Sequence, residues 1–432
     1  MEDLPITYLG LPLSIRNPTK AELQPIMDRM AKKVAGWKPK LLSPDGRLCL
    51  IKSVLMAIPV HLLSVVQLPR WVIKDIERRC RGFLWKGQEE ISGGHCLVAW
   101  REICMPIGNG GLGIKDIDSF GKALRLKWEF KRQEQRDRPW TMANWESEKD
   151  VGDLFNSLAI HILGDGSHTD FCRGNWLPRG GSIANNCPTL FSFVSRTKLM
   201  VAQGLISHRW VRDLQGSLSS RALAEYLSLW DELQSVAVQE GVRDSVVWRF
   251  AANGVFSVSS AYDLFFLTST KCPFGEAIWK TKAPARVRFF LWLAAKGRCL
   301  TADNLSKRGW PHNPDCLLCL SAPENCKHLC TSCTYTNRVW SLLRTWLGFG
   351  FDLPGRSGEE LAVWWQRARS CCRPSYRDAF DSFFMLVCWR IWKERNAQVF
   401  DQKEKTVESL VADIKEDVMV WRAAGIFQFS EE

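Results

Sequence analysis

No stretch of this chain comes near the roughly 18 consecutive apolar residues that a membrane helix needs. The longest, such as Val287–Ala295, are short or interrupted. The first ten residues, MEDLPITYLG, lack the basic cluster and apolar core of a secretory leader. An intracellular protein, nuclear or cytoplasmic and not secreted, is therefore expected, with no membrane partner. Internal repeats are absent, which excludes a solenoid or propeller. Low-complexity tracts are absent as well. The segment Gly108–Gly113 (GNGGLG) has no Lys-Ser/Thr after it, so it is not a phosphate loop and reads as a turn. His61, His95, His161, His168, His208 and His312 have no nucleophile readable beside them.

What is present is a globular composition, with 46% hydrophobic and 24% charged residues over 432 positions. That excludes wholesale disorder and suits two to four domains. The net charge is +12, and it is uneven. Residues 1–140 hold 24 Lys+Arg against 15 Asp+Glu, so an acidic partner such as nucleic acid is expected at that end. Only 5 Tyr accompany 21 Trp. Trp37, Trp71, Trp85, Trp100 and Trp128 lie in the basic segment, where indoles can stack on unpaired bases. Most of them sit at apolar helical positions, so core packing is their expected role.

Four segments follow from the patterning. Residues 1–140 form a basic helical region. Ile26, Met30, Val34 and Trp37 recur at helical spacing, and Ser43-Pro44 opens a second helix. Residues 141–240 are an irregular spacer, with a linker or interdomain surface placed within 180–200. In residues 244–345, Val246–Ala251 and Val255–Val258 flank Asn253-Gly254, the strongest short hairpin signal. Helices follow at Ala285–Ala295 and Ala302–Arg308. Residues 346–432 are a helical tail. The expected fold is α-rich mixed α+β: a helical first segment, an irregular spacer, a small hairpin-plus-helix domain and a helical tail.

Five of the 16 cysteines fall between Cys316 and Cys333. Cys316-Leu-Leu-Cys319 can hold one metal from a tight turn. His328 and Cys333 follow at spacings that close a tetrahedron, the geometry zinc takes with sulfur and nitrogen. Three thiolates and one imidazole leave no open position, so such a zinc site is structural. Cys330-x-x-Cys333 offers a rival, all-thiolate set, and buried cysteines without metal are the plain alternative.

Taken in order, these motifs resemble the C-terminal region of a plant non-LTR (LINE-type) retrotransposon reverse transcriptase polyprotein. The resemblance runs over nearly the whole chain. Tyr8–Leu13 (YLGLPL), Trp37-Lys38-Pro-Lys40-Leu-Leu-Ser43 and Leu50–Leu55 are similar to the thumb-like region after the palm. Gly164-Asp-Gly166 with Trp176-Leu177 resembles the family's middle spacer. Gly254–Tyr262, Trp279-Lys280, Ala283-Pro284 and Phe289–Trp292 resemble the start of the reverse transcriptase zinc-binding domain. Its ligand pattern implies Cys316, Cys319, His328 and Cys333, and favours His328 over Cys330. Trp389–Asn396 resembles the helical stretch that follows.

A reverse transcriptase needs carboxylates that hold two metal ions, and the family carries an Asp-Asp pair in its palm. This sequence has no Asp-Asp pair; Tyr376-Arg-Asp378 is the nearest echo. Glu404, Glu408, Asp413, Glu416 and Asp417 space as a solvated helix face, with no ribonuclease H carboxylate set. The expectation is thus a truncated, non-enzymatic fragment whose first segment binds RNA or DNA. Lys32, Lys33, Lys38, Lys40, Arg47, Lys52, Arg78, Arg79 and Arg81 are its candidate phosphate contacts. The alternative is a protein-interaction module, or an inert relic, without nucleic-acid function.

Overall fold

The computed structural model describes residues 6–8, 11–13, 18–38, 41–89, 91, 94–135, 138, 149–348, 350–354 and 359–427. It is α-rich with little strand, as the patterning implies. Two antiparallel two-stranded sheets occur among the described residues. One pairs Ile6–Tyr8 with Leu11–Leu13. The other pairs Ala159–Ile162 with Ser245–Trp248.

The chain divides into two units. The first comprises Met1–Pro59, Pro69–Asp116 and Thr268–Glu432. Its central helix, Arg377–Asn396, is apolar on nearly every side and is therefore wrapped on nearly every side. Helices Ala285–Ala295, Leu361–Ser370 and Val407–Ala423 pack on it. Trp365 stacks on Phe384, with centroids 5.1 Å apart and planes at 11°. Trp340, Trp364 and Phe351 fill the same core. The tryptophans thus act mainly as packing; Trp71 is the exception in the basic segment, at 40% exposure.

Helix Lys20–Gly36 starts at a Thr19–Glu22 capping box, which satisfies two orphan amides reciprocally. It buries Leu23, Met27, Met30 and Val34 and packs on helix Arg70–Lys86. Pro44 sits in the first turn of helix Pro44–Leu50, where its missing amide costs nothing, while Ser43 makes no side-chain cap bond. The glycine segment is a turn. Gly110 has φ of 82°, and a Cβ on Gly111 would lie 1.9 Å from the Met105 carbonyl oxygen. The Trp292 indole N–H donates to the Gly110 carbonyl at 2.9 Å and ties this turn to helix Ala285–Ala295.

The second unit comprises Val60–Leu68 and Ile117–Leu267. The two units cut across the four sequence segments, and residues 244–345 fall partly in each. Two sequence expectations are corrected here. The Asn253-Gly254 turn forms, with Gly254 at φ 69° and Trp248 N–H on the Gly254 carbonyl at 2.9 Å. Its second arm is not a strand, however, because Ser257 caps helix Val258–Leu264 and Phe256 stacks on Phe130. Ser245–Trp248 takes its partner from residues 159–162 instead. Nor is 180–200 a linker. Ile183, Cys187, Leu190 and Leu199 are buried in one apolar cluster with Phe171, Trp176 and Trp210.

Gly164-Asp165-Gly166 wraps around a carboxylate that the sequence did not single out. Asp244 accepts from the amides of Gly164 (2.7 Å), Gly166 (2.9 Å) and His168 (3.0 Å) and from the Thr169 hydroxyl (2.9 Å). Burial alone would raise its pKa, but these donors outweigh it and hold the carboxyl below the usual range.

Candidate metal centre

The candidate donors sit on a knuckle, a one-turn segment and a helix start. Cys316 and Cys319 close a tight turn, with the Leu320 amide on the Cys316 carbonyl at 2.8 Å and the Cys316 amide on Ala322 at 2.9 Å. Leu320 takes a positive φ of 51° to complete it. The Asn325 side chain caps the amide of His328 at 2.8 Å. The single π turn His328–Ser332 then delivers Cys333 to the N-terminus of helix Thr334–Leu347.

One ligand atom from each of Cys316, Cys319, His328 and Cys333 lies within 4.8 Å of all the others. Cys316 Sγ is 4.0 Å from Cys333 Sγ, and Cys319 Sγ is 3.2 Å from His328 Nε2. A tetrahedral zinc ion with ordinary bond lengths has sulfur–sulfur edges of about 3.8 Å and sulfur–nitrogen edges of about 3.5 Å. The donor set therefore fits such an ion. Cys316 and Cys333 are buried, and Cys319 and His328 half-buried.

The electrostatics favour thiolate. The Cys333 thiol is pushed down to about 4, first by the hydrogen bond from Cys316, then by His328 and the Thr336 and Tyr335 amides at the helix start. Burial raises Cys319, but bonds from Ser321 and His328 leave it below its ordinary value. The His328 pKa is raised, chiefly by its bond to Cys333. The bond to Cys333 and burial push the Cys316 thiol up.

Cys330, the rival ligand, lies outside this cluster. It is buried, and its thiol bonds to Cys388 on the central helix, which with burial keeps it protonated. Cys326 is likewise turned toward Cys299 and Thr301.

Glu324, inside the same loop, is a residue that spacing alone did not reveal. It is buried and binds Arg395 of the central helix with both oxygens, at 2.8 and 2.5 Å. It also accepts from the Ala302 amide at 3.0 Å. The only sequence signal was an acidic residue inside the cysteine loop.

Residues 256–340 match the profile of a family described as zinc-binding in reverse transcriptase. All four clustered donors fall inside that match. The chain carries a reverse transcriptase zinc-binding domain. Around this domain the chain is similar to the "Putative ribonuclease H protein At1g65750" of Arabidopsis thaliana. The two are 25% identical over 449 residues, covering 91% of this chain and 67% of that protein. It is also similar to the "Uncharacterized mitochondrial protein AtMg00310" of the same plant, 26% identical over 148 residues. That match covers 28% of this chain and 94% of the relative. These similarities agree with the resemblance to a plant LINE-type reverse transcriptase read from the motifs. No solved structure matches.

Outside the zinc-binding domain, the candidate phosphate contacts separate into two groups. Lys32, Lys33, Lys38 and Lys52 are exposed. Arg78 and Arg79 both bind Asp75, and Arg79 also binds Glu89. Arg47 is half-buried and donates to the Leu84 carbonyl at 3.4 Å, and Arg81 is half-buried. Lys40 lies outside the described residues. No helix among the described residues is long and apolar enough to cross a membrane.

Proposed function

We propose that this chain is a retrotransposon-derived reverse transcriptase fragment that binds one structural zinc ion and associates with RNA or DNA without polymerising. The observation that carries the reading is the Cys316/Cys319/His328/Cys333 cluster within the matched zinc-binding segment. Zinc in this site leaves no open coordination position and contributes folding free energy, not chemistry. The exposed Lys32, Lys33, Lys38 and Lys52 of the basic first segment supply phosphate contacts. Polymerase activity is not expected from the chain alone, because no Asp-Asp pair is available for two-metal catalysis. The tail carboxylates Asp413 and Asp417 are engaged by Lys405 and Arg390, which suits a helix surface and not a metal site.

The test has two arms. Purified chain should carry about one zinc per molecule and bind RNA with an affinity that falls steeply with salt. It should also fail in primer extension on an RNA template. Metal-dependent synthesis would overturn the second half, and a zinc-free, fully folded chain the first.

One observation favours the alternative, a protein-interaction role. A groove of about 630 Å³ opens among helices Thr334–Leu347, Arg377–Asn396 and Val407–Ala423, lined mainly by apolar groups such as Trp346, Phe380, Phe383 and Met419. RNA binding that is absent, or insensitive to salt, would favour it.

A further inference from the structure

The candidate phosphate contacts Lys32, Lys33, Lys38 and Lys52 all belong to the first segment. The structure brings a cation from the zinc-binding segment beside one of them. Lys52 Nζ lies 5.9 Å from the centroid of the Trp279 ring, and Arg288 Cζ lies 5.8 Å from the same centroid. We propose that Lys52 and Arg288, gathered around Trp279, form a site for the backbone phosphate of a nucleic acid. This deepens the nucleic-acid reading above and rests on it.

Four observations support the assignment. First, neither cation makes an ion pair within 4 Å among the described residues. Lys52 is exposed and makes no hydrogen bond or ion pair among the described residues. Desolvation, the larger cause, and the charge of Arg288 both lower its pKa, while Cys49 raises it. Asp45 is the carboxylate whose charge reaches Arg288. Holding two like charges together is unfavourable, and an external anion would relieve it.

Second, the guanidinium is fixed in place. Arg288 Nη1 donates to the Trp279 carbonyl at 3.2 Å and to the Thr281 carbonyl at 3.4 Å. Nη2 has no partner among the described residues, so one arm of the fork remains for an oxyanion. Third, unsatisfied donors line the floor. The Nε–H of Arg288 and the indole N–H of Trp279 are shielded from solvent without an acceptor among the described residues. Fourth, residues 279–288 (WKTKAPARVR) carry Lys280, Lys282, Arg286 and Arg288 and no acid. Lys280 is held by Glu276, and Arg286 is exposed and unpaired among the described residues. An indole beside such cations also offers a stacking face for a base or sugar.

The experiment uses the full, zinc-loaded chain and short labelled single-stranded RNA, with anisotropy read across a salt series. Lys52→Gln and Arg288→Gln should each reduce the salt slope by about one and weaken binding about three- to tenfold, while Arg288→Lys retains the slope. Unchanged slopes in both charge-removing variants, with wild-type binding intact, overturn this site and leave the broader reading standing. Absent salt-dependent binding by wild type overturns both. A second measurement needs no variant: RNA should protect Lys52 from amine acylation, read by mass spectrometry. Lack of protection during demonstrable RNA binding overturns the site. Protection by inorganic phosphate but not by RNA overturns the assignment to a nucleic-acid backbone.

Discussion

Glu324 and Arg395, 71 residues apart, form a doubly bonded ion pair with 2% and 5% of their side chains exposed. The pair fastens the loop that carries the candidate metal donors to the central helix of its unit. A buried ion pair is weak evidence of net stability, but breaking one side leaves an uncompensated charge. Arg395→Met should therefore lower stability by about 3–5 kcal/mol. The Glu324→Leu/Arg395→Met double variant should be less damaged than either single one. Thermal unfolding of the three variants checks this, and a double variant worse than both singles would contradict it.

The two cysteine settings predict opposite outcomes for neighbouring substitutions. Cys333→Ser should abolish stoichiometric zinc, since it removes the thiolate most strongly favoured by its surroundings. Cys330→Ala should retain zinc and cost only about 1–2 kcal/mol, the effect of a small buried cavity. Metal content by mass spectrometry distinguishes them; loss of zinc in Cys330→Ala would reinstate the all-thiolate set.

Chelation should unfold the metal loop, because zinc affinity is folding free energy. Amide exchange in residues 316–333 should accelerate strongly on metal removal, while helix Lys20–Gly36 is little affected. Equal protection of the loop with and without metal would count against a structural ion.

Asp244 carries a pH prediction. Its carboxyl is held below the ordinary pKa in the folded state, so protons bind the unfolded chain more readily. The stability it contributes is present above the unfolded pKa of about 4 and is lost as pH falls through the lower folded value. Asp244→Ala should cost about 3–5 kcal/mol at neutral pH, where three amides and a hydroxyl lose their acceptor. The gap from wild type should narrow below about pH 4. Denaturant unfolding at neutral and acidic pH measures both, and a gap that widens in acid would refute the assignment.

Gly111→Ala should destabilise by more than about 2 kcal/mol, because the new methyl group meets backbone and not a flexible side chain. Gly108→Ala is the control: its nearest atom is a Glu276 carboxylate oxygen at 3.4 Å. Similar melting temperatures for both would show that the turn relaxes.

Local features were legible in the sequence because they depend on neighbours. The tail that holds helix Arg377–Asn396 was legible as helical, and helix Pro44–Leu50 followed from proline in its first turn. The cysteine knuckle followed from a two-residue spacer. The hairpin signal at Asn253-Gly254 was correct about the turn and wrong about the second arm. A turn is decided by its own residues, whereas a strand needs a partner edge, and residues 159–162 supply it from elsewhere.

By itself, the sequence determined that the protein is helical, that its positive charge is concentrated in the first 140 residues, and that Cys316, Cys319, His328 and Cys333 stand at ligand spacing. Tertiary structure decided that Cys330 turns to Cys388, that Glu324 finds Arg395, that Asp244 holds the Gly164–Gly166 loop, and that Arg288 joins Lys52. The physical reason is the same each time. Spacing limits which atoms can meet within one turn, but a buried polar group takes whichever distant partner packing brings within hydrogen-bond reach.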